Sequence, residues 1–117
     1  MNGVDDMSRQ NFTMFAGDDL QITVPVFDER TGESIDISEA TSIKWQLARS
    51  VNGPAIIEKT LDNGISVNTP TSFLFNIMNT ESDPLQGAYH HEAEVVTSQG
   101  FVYTVMSGRV TVNRTLI

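Results

Sequence analysis

The 117-residue chain contains no cysteine and only one tryptophan, and it is poor in basic side chains. The lack of cysteine excludes disulfide bonds and thiolate metal sites. Seven lysines and arginines stand against 15 aspartates and glutamates, which gives a formal net charge of −8. Because nucleic acids and anionic membranes attract basic surfaces, this balance argues against non-specific binding to either.

Long apolar runs are also missing. The opening residues, MNGVDDMSRQ, hold no signal-peptide core, and no stretch approaches the length of a membrane span. We therefore expect the chain to be located in the cytoplasm of the cell that makes it. A hydrophobic content of 39% in a chain of this length predicts one packed globular domain.

Turn signals rich in Gly, Asp, Asn and Pro recur along the chain, and short β-rich runs lie between them. In LQITVPVFD, for example, Leu20, Ile22 and Val24 alternate with polar residues, which is the period of a half-buried strand. Pro25 cannot donate to a ladder, so it predicts a sheet edge or a bulge. The two longest runs, GAYHHEAEVVTS and FVYTVMSGRVTV, predict a terminal β-hairpin.

This pattern predicts an all-β protein, an immunoglobulin-like β-sandwich of about seven antiparallel strands held without a disulfide. We expect a single sandwich domain over residues 12–113 and a C-terminal tail over residues 114–117. Residues 1–11 are polar and unpatterned, which predicts a flexible N-terminal arm. The alternative is an arm that becomes ordered on a neighbouring subunit.

The two histidines of the chain are adjacent, and acidic residues flank them. On a strand, neighbouring side chains point to opposite faces, so His90 and His91 cannot bind one metal together. A zinc site needs at least three protein ligands, and the sequence around them supplies no such set. The better interpretation is architectural: His91 is a partly buried core residue, and His90 lies on the surface.

The residues before the histidines support that interpretation. DPLQGAY places a turn and a glycine ahead of Tyr89, where an immunoglobulin-type sandwich has its tyrosine corner. The same architecture buries a tryptophan on an earlier strand, and Trp45 alternates with polar neighbours in SIKWQLAR. We therefore assign structural roles to Trp45, Tyr89 and His91.

No motif predicts catalysis, a cofactor or a bound metal. The carboxylates at Asp18 and Asp19, with Asp5, Asp6 and Asp28, lack the spacing of an EF-hand calcium loop, and GDD before a strand is typical of a turn. The chain has no G-x-S-x-G nucleophile elbow and no phosphate-binding loop leading into a helix. We expect a protein that is not an enzyme.

Apolar residues on the outer face of the terminal hairpin suggest a partner surface. The candidates for partner contact are Val96, Val102 and Met106, together with Leu116 and Ile117 at the chain end. The alternative is a bulge that changes the phase of the strand, for which Gly108 is the best position. For the chain end, the alternative is simple fraying.

Five phrases of the sequence, taken in their order along the chain, resemble small immunoglobulin-like structural proteins of tailed bacteriophage particles, including the N-terminal domains of upper baseplate proteins. The phrases are MFAGDDLQITVPVFDERTGESIDIS, SIKWQLAR, IIEKT, DPLQGAYHHEAEVV and GFVYTVMSGRVTV. The resemblance covers residues 12–113. His91 departs from the aromatic or aliphatic residue that these proteins often carry there.

The resemblance implies a virion component without catalytic activity. Its partners would be other virion proteins such as capsid, neck or tail subunits, and it would be oligomeric in the particle. Head decoration, neck, tail and baseplate positions all remain open. The alternative function is a module whose loops bind a host-surface protein or a glycan, although those loops hold few aromatic residues for stacking on sugars.

Overall fold

The structure, a computed structural model, describes residues 10–28 and 30–116. Eight strands and one helical turn account for the regular structure within these ranges. They are β1 (Phe12–Phe15), β2 (Leu20–Pro25), β3 (Ser42–Ala48), β4 (Ala55–Leu61), β5 (Gly64–Thr69), β6 (Ser72–Ile77), α1 (Asn79–Ser82), β7 (Gly87–Val96) and β8 (Val102–Asn113). The all-β prediction is confirmed, with one strand more than expected.

The strands are hydrogen-bonded in the order β1-β8-β7-β3-β4-β5-β6-β2. Most neighbours are antiparallel, but β1 runs parallel to β8, and β4 meets β5 in a short parallel pair at Thr60–Gly64 and Leu61–Ile65. This short pair is the hinge between two layers, β1-β8-β7-β3-β4 and β5-β6-β2.

Trp45 shows that the two layers face each other. Its ring on β3 lies 4.4 Å, centroid to centroid, from the ring of Phe75 on β6. Three strand spacings of about 4.8 Å would separate β3 from β6 in a flat sheet. The sheet therefore folds over at the hinge, and the apolar faces of the two layers close on one core.

The alternation predicted from the sequence places the core residues. Ile43, Trp45 and Leu47 point inward from β3, and Phe73, Phe75 and Ile77 point inward from β6; all are at most 1% exposed. β2 pairs only with β6, at the end of the strand order, so the edge position predicted from Pro25 is confirmed.

The terminal hairpin is also confirmed, since β7 and β8 pair antiparallel along their length. Their register shifts by one residue between Ala93–Met106 and Glu94–Thr104, so that Val105 is the extra residue of a β-bulge. Val105 and Met106 are consequently both buried. The bulge lies here, and Gly108 has a different role.

Gly108 allows the N-terminal segment to pass close to β8. A Cβ atom at this position would lie 2.7 Å from the Asn11 side-chain oxygen and closer still to the Gln10 carbonyl oxygen. The amide of Gln10 donates to the carbonyl of Ser107, and the Asn11 side chain accepts from the amide of Arg109. Residues 10 and 11 thus belong to the folded domain, which corrects the boundary predicted for the arm; residues 1–9 lie outside the described residues.

The helical turn α1 was not predicted from the sequence. Glu81 accepts a hydrogen bond from the amide of Met78 at 2.9 Å and forms an ion pair with Lys59 at 2.7 Å. Partial burial would raise the pKa of Glu81, but the bonds from Lys59 and Met78 outweigh it and hold the pKa below its usual value.

Candidate functional site

His91 lies at the centre of a hydrogen-bonded cluster that joins three separate segments. The indole N–H of Trp45 donates to Nδ1 of His91 at 3.0 Å, and Nε2 of His91 lies 2.5 Å from the carbonyl oxygen of Gln10. The ring of Phe12 packs edge-on against it at 5.2 Å. We call Trp45, His91, Gln10 and Phe12 the His91 cluster.

The partners fix the state of the imidazole. Nδ1 accepts a hydrogen bond, so its proton must be on Nε2, which donates to Gln10. His91 is 0% exposed, and burial lowers the pKa of its imidazole below the usual value, although the Gln10 carbonyl opposes the shift. A neutral, fully satisfied histidine is a structural element, and it is more deeply buried than the sequence suggested.

Tyr89 has the geometry of a tyrosine corner. Its ring is 3% exposed, and its hydroxyl accepts a hydrogen bond from the amide of Gln86 at 2.9 Å. The guanidinium of Arg49 lies over the ring, 4.2 Å from the centroid. Arg49 was not identified from the sequence, since it comes beside Tyr89 through the pairing of β3 with β7, which no local pattern signals.

His90 points to the opposite face of β7, as predicted. Its Nε2 lies 2.6 Å from a carboxylate oxygen of Glu92, with part of both side chains in solvent. Within residues 10–28 and 30–116, no three His, Asp or Glu side chains come together in a way that would hold a metal ion.

Two of the acidic turn residues have partners within the folded chain, one of them distant in sequence. Asp19 accepts from the amide of Asn79 at 2.6 Å, and Asp28 binds Arg30. The hydrogen bonds from Arg30 lower the pKa of the Asp28 carboxyl. Asp5 and Asp6 lie outside the described residues.

The predicted contact residues separate into two groups. Val102 is 59% exposed, Val96 is half-buried opposite it, and Leu116 is fully exposed. Met106 is completely buried because the bulge at Val105 turns it inward, so its assignment as a contact residue was wrong. Ile117 lies outside the described residues.

Ser82 is a structural residue that sequence reasoning missed. It is 0% exposed; its hydroxyl accepts from the amide of Gly17 and donates to the carbonyl of Asp18, both at 2.9 Å. These bonds tie α1 to the β1–β2 turn. No sequence signal exists for such a contact, because its partners are more than sixty positions away.

No family model and no curated protein matches the chain. Solved structures do match its fold. One is CopC from Methylosinus trichosporium OB3b, with a TM-score of 0.53 and 13% identity, covering 89% of this chain and 84% of that one. Another is a structure of the fibronectin(III)-like modules of Clostridium thermocellum CbhA, with a TM-score of 0.50 and 11% identity, covering 91% and 90%.

At such low identity these similarities establish the fold alone. The chain is an all-β, immunoglobulin-like and fibronectin-III-like β-sandwich. In the part of the chain that is described, no helix is long and apolar enough to cross a membrane.

Proposed function

We propose that the protein is a non-enzymatic structural component of a tailed bacteriophage particle. In this role it binds other virion proteins, as a decoration that cements the head surface or as an accessory of the neck, tail or baseplate. It is made in the host cytoplasm and ends in the virion. The proposal concerns surface contact, which is a role that a small sandwich domain can fill without an active site.

The observation that carries the proposal is the order of the sequence phrases along the sandwich. The GDD phrase forms the β1–β2 turn, SIKWQLAR extends through β3, GAYHHE opens β7, and GFVYTV opens β8. Each phrase alone is common in β-sandwiches. Their combination in this order is what resembles the small phage proteins, and the single-domain size agrees with that resemblance.

The tip of the β7–β8 hairpin is the best surface for contact with another virion protein. Phe101 and Val102 are 58% and 59% exposed side by side, and Val96 lies opposite Val102. Burying a valine or phenylalanine side chain fully contributes about 1.5–3 kcal/mol. In a lattice, such a contact repeats in every copy, so a modest energy per copy stabilises the whole shell by mass action.

Copy number in the particle tests the proposal. Quantitative mass spectrometry of purified particles of the phage that encodes this chain should find the chain, in a fixed ratio to the major capsid protein. A ratio near parity, or a simple large fraction, indicates a lattice or tube protein, and a ratio of a few per cent indicates a ring. Absence of the chain from the particle would refute the proposal.

The contribution of the hairpin tip can be measured separately. We expect a Phe101→Ser, Val102→Ser variant to fold normally and to bind particles lacking the chain at least about tenfold more weakly, as expected when two apolar anchors are lost. Ile56→Ser, at a residue that is 47% exposed on β4, is the matched control. Equal binding of the two variants would exclude the tip as the contact surface.

A further inference from the structure

A groove of about 710 Å³ is lined by residues of β1, β7 and β8, by Asn11, and by residues 49–51, which follow β3. Its volume lies within the range of protein binding clefts. The side chains of Arg49 and Arg109 line it, and His90 is the direct cross-strand partner of Arg109. Among residues 10–28 and 30–116 no aspartate or glutamate lines the groove, although the Glu92 carboxylate lies 2.6 Å from Nε2 of the lining residue His90. The whole chain has a net charge of −8.

The two arginines are available for a ligand. Within residues 10–28 and 30–116, the carboxylate ion pairs of basic side chains are those of Arg30, Lys59 and His90. Arg49 is held in place without a carboxylate: its guanidinium stacks 4.2 Å from the Tyr89 ring centroid and reaches the Ala88 carbonyl at 3.5 Å. This stacking pre-orders the side chain, which reduces the entropy lost on binding.

The remaining lining combines polar and apolar groups. Hydroxyl and amide side chains share this lining with apolar side chains, of which Val51 is exposed and Tyr89 is buried beneath the Arg49 guanidinium. The polar ones are Asn11, Thr13, Ser50, Ser107 and Thr111; the apolar ones are Phe12, Val51, Ala88 and Tyr89. Such a surface suits a ligand that carries apolar side chains between its charges.

We propose that this groove binds an acidic peptide segment of a partner protein, in which carboxylates flank an apolar residue. Each arginine presents a planar fork of donors that matches a carboxylate, and the exposed Val51 and Ala88 side chains offer apolar contact to the residue between the carboxylates. The net negative charge of the chain opposes the approach of an acidic segment elsewhere, whereas Arg49 and Arg109 attract its carboxylates at this groove.

A nucleic acid fits the observations less well. Duplex DNA carries one charge per about 1.7 Å of its axis, so binding needs an extended row of cations. Two arginines on a chain with a net charge of −8 do not provide one. The partner is therefore assigned as a protein, and single-stranded DNA becomes a competing ligand in the test.

Fluorescence anisotropy with the purified full chain tests this inference. The probe is a short fluorescein-labelled peptide in which aspartate and glutamate alternate with leucine, and its matched control replaces the acids by asparagine and glutamine. We expect saturable binding of the acidic probe at low salt and weaker binding as salt rises. Arg109→Glu and Arg49→Glu should each lower the affinity at least about tenfold.

Arg30→Glu is the matched charge reversal, since Arg30 is exposed and does not line the groove. It should change the affinity less than about threefold, because it leaves every residue that lines the groove unchanged and salt screens exposed charges. Arg109→Gln, compared by thermal unfolding with the wild type, separates loss of binding from loss of folding.

Several outcomes would overturn the inference. They are the absence of saturable binding by the wild type, equal losses for Arg30→Glu and Arg109→Glu, and equal affinity for the amide control peptide. Tighter binding of a single-stranded oligonucleotide would assign the groove to nucleic acid. A wild-type dimer in sedimentation that Arg109→Glu dissociates would assign it to a second copy. The test uses only the purified chain, so it is independent of the particle assignment.

Discussion

The indole N–H of Trp45 donates to Nδ1 of His91 across 3.0 Å, inside a core from which both side chains exclude water. This single bond decides the tautomer of the imidazole and directs its Nε2 proton to Gln10. Protonation of Nδ1 would place two N–H groups against each other. The folded core therefore disfavours protonation of the His91 imidazole.

Stability should consequently fall when the solution becomes mildly acidic. The pKa of His91 is lowered in the folded state, mainly by burial, whereas in the unfolded chain it is about 6.5. The unfolded state therefore takes up the proton first. Stability is complete above about pH 6.5 and declines below it by at most about 1.4 kcal/mol per pH unit, until the folded-state pKa is reached. Urea unfolding between pH 7.5 and 5 measures this decline.

Substitutions at the two histidines test whether His91, rather than His90, causes the decline in stability. His91→Gln keeps a donor and an acceptor in the core, and its stability should be nearly independent of pH in this window. His90→Gln removes the surface imidazole and should retain the wild-type decline. If His91→Gln declines as steeply as the wild type, the effect does not come from the His91 cluster.

Tyr89→Phe should destabilise the fold by about 1 kcal/mol. The substitution removes the hydroxyl that accepts from Gln86 but leaves the buried ring and its contact with Arg49. Chemical denaturation of Tyr89→Phe is compared with Tyr103→Phe, at a half-buried tyrosine on β8. A loss no larger than that of Tyr103→Phe would mean that the corner hydrogen bond contributes nothing to stability.

Ser82→Ala should cost about 1–3 kcal/mol, because it leaves the Gly17 amide and the Asp18 carbonyl without their partner. The loss should be accompanied by faster hydrogen exchange at the Gly17 amide. Ser98→Ala, in the exposed β7–β8 turn, should leave both quantities unchanged. An unaltered exchange rate at Gly17 in the Ser82 variant would contradict this assignment.

Gly108→Ala should destabilise the full chain by about 1–3 kcal/mol, because the added methyl group collides with Gln10 and Asn11. In a chain that begins at residue 12 the collision partners are absent, so the same substitution should cost much less. A thermodynamic cycle of the four proteins measures the coupling. Equal costs in the long and short chains would show that the N-terminal segment does not dock on β8.

Local patterns predicted most of the strands. The alternation in SIKWQLAR identified Trp45 as an inward residue, because side chains on a strand alternate between its faces whatever the strand packs against. Pro25 marked an edge for an equally local reason, the missing backbone donor. The role of Met106 could not be predicted this way, since a bulge adds a residue and shifts the alternation.

The sequence by itself determined the all-β class, the terminal hairpin and the inward position of Trp45, since each depends on neighbours only a few residues away. The tertiary structure alone decided which distant groups meet: Gln10 with His91, Ser82 with Gly17, and Arg49 with Arg109 across one groove. Those contacts depend on strand order and on the fold-over between β4 and β5, and these are set by the packing of the whole core rather than by any local pattern.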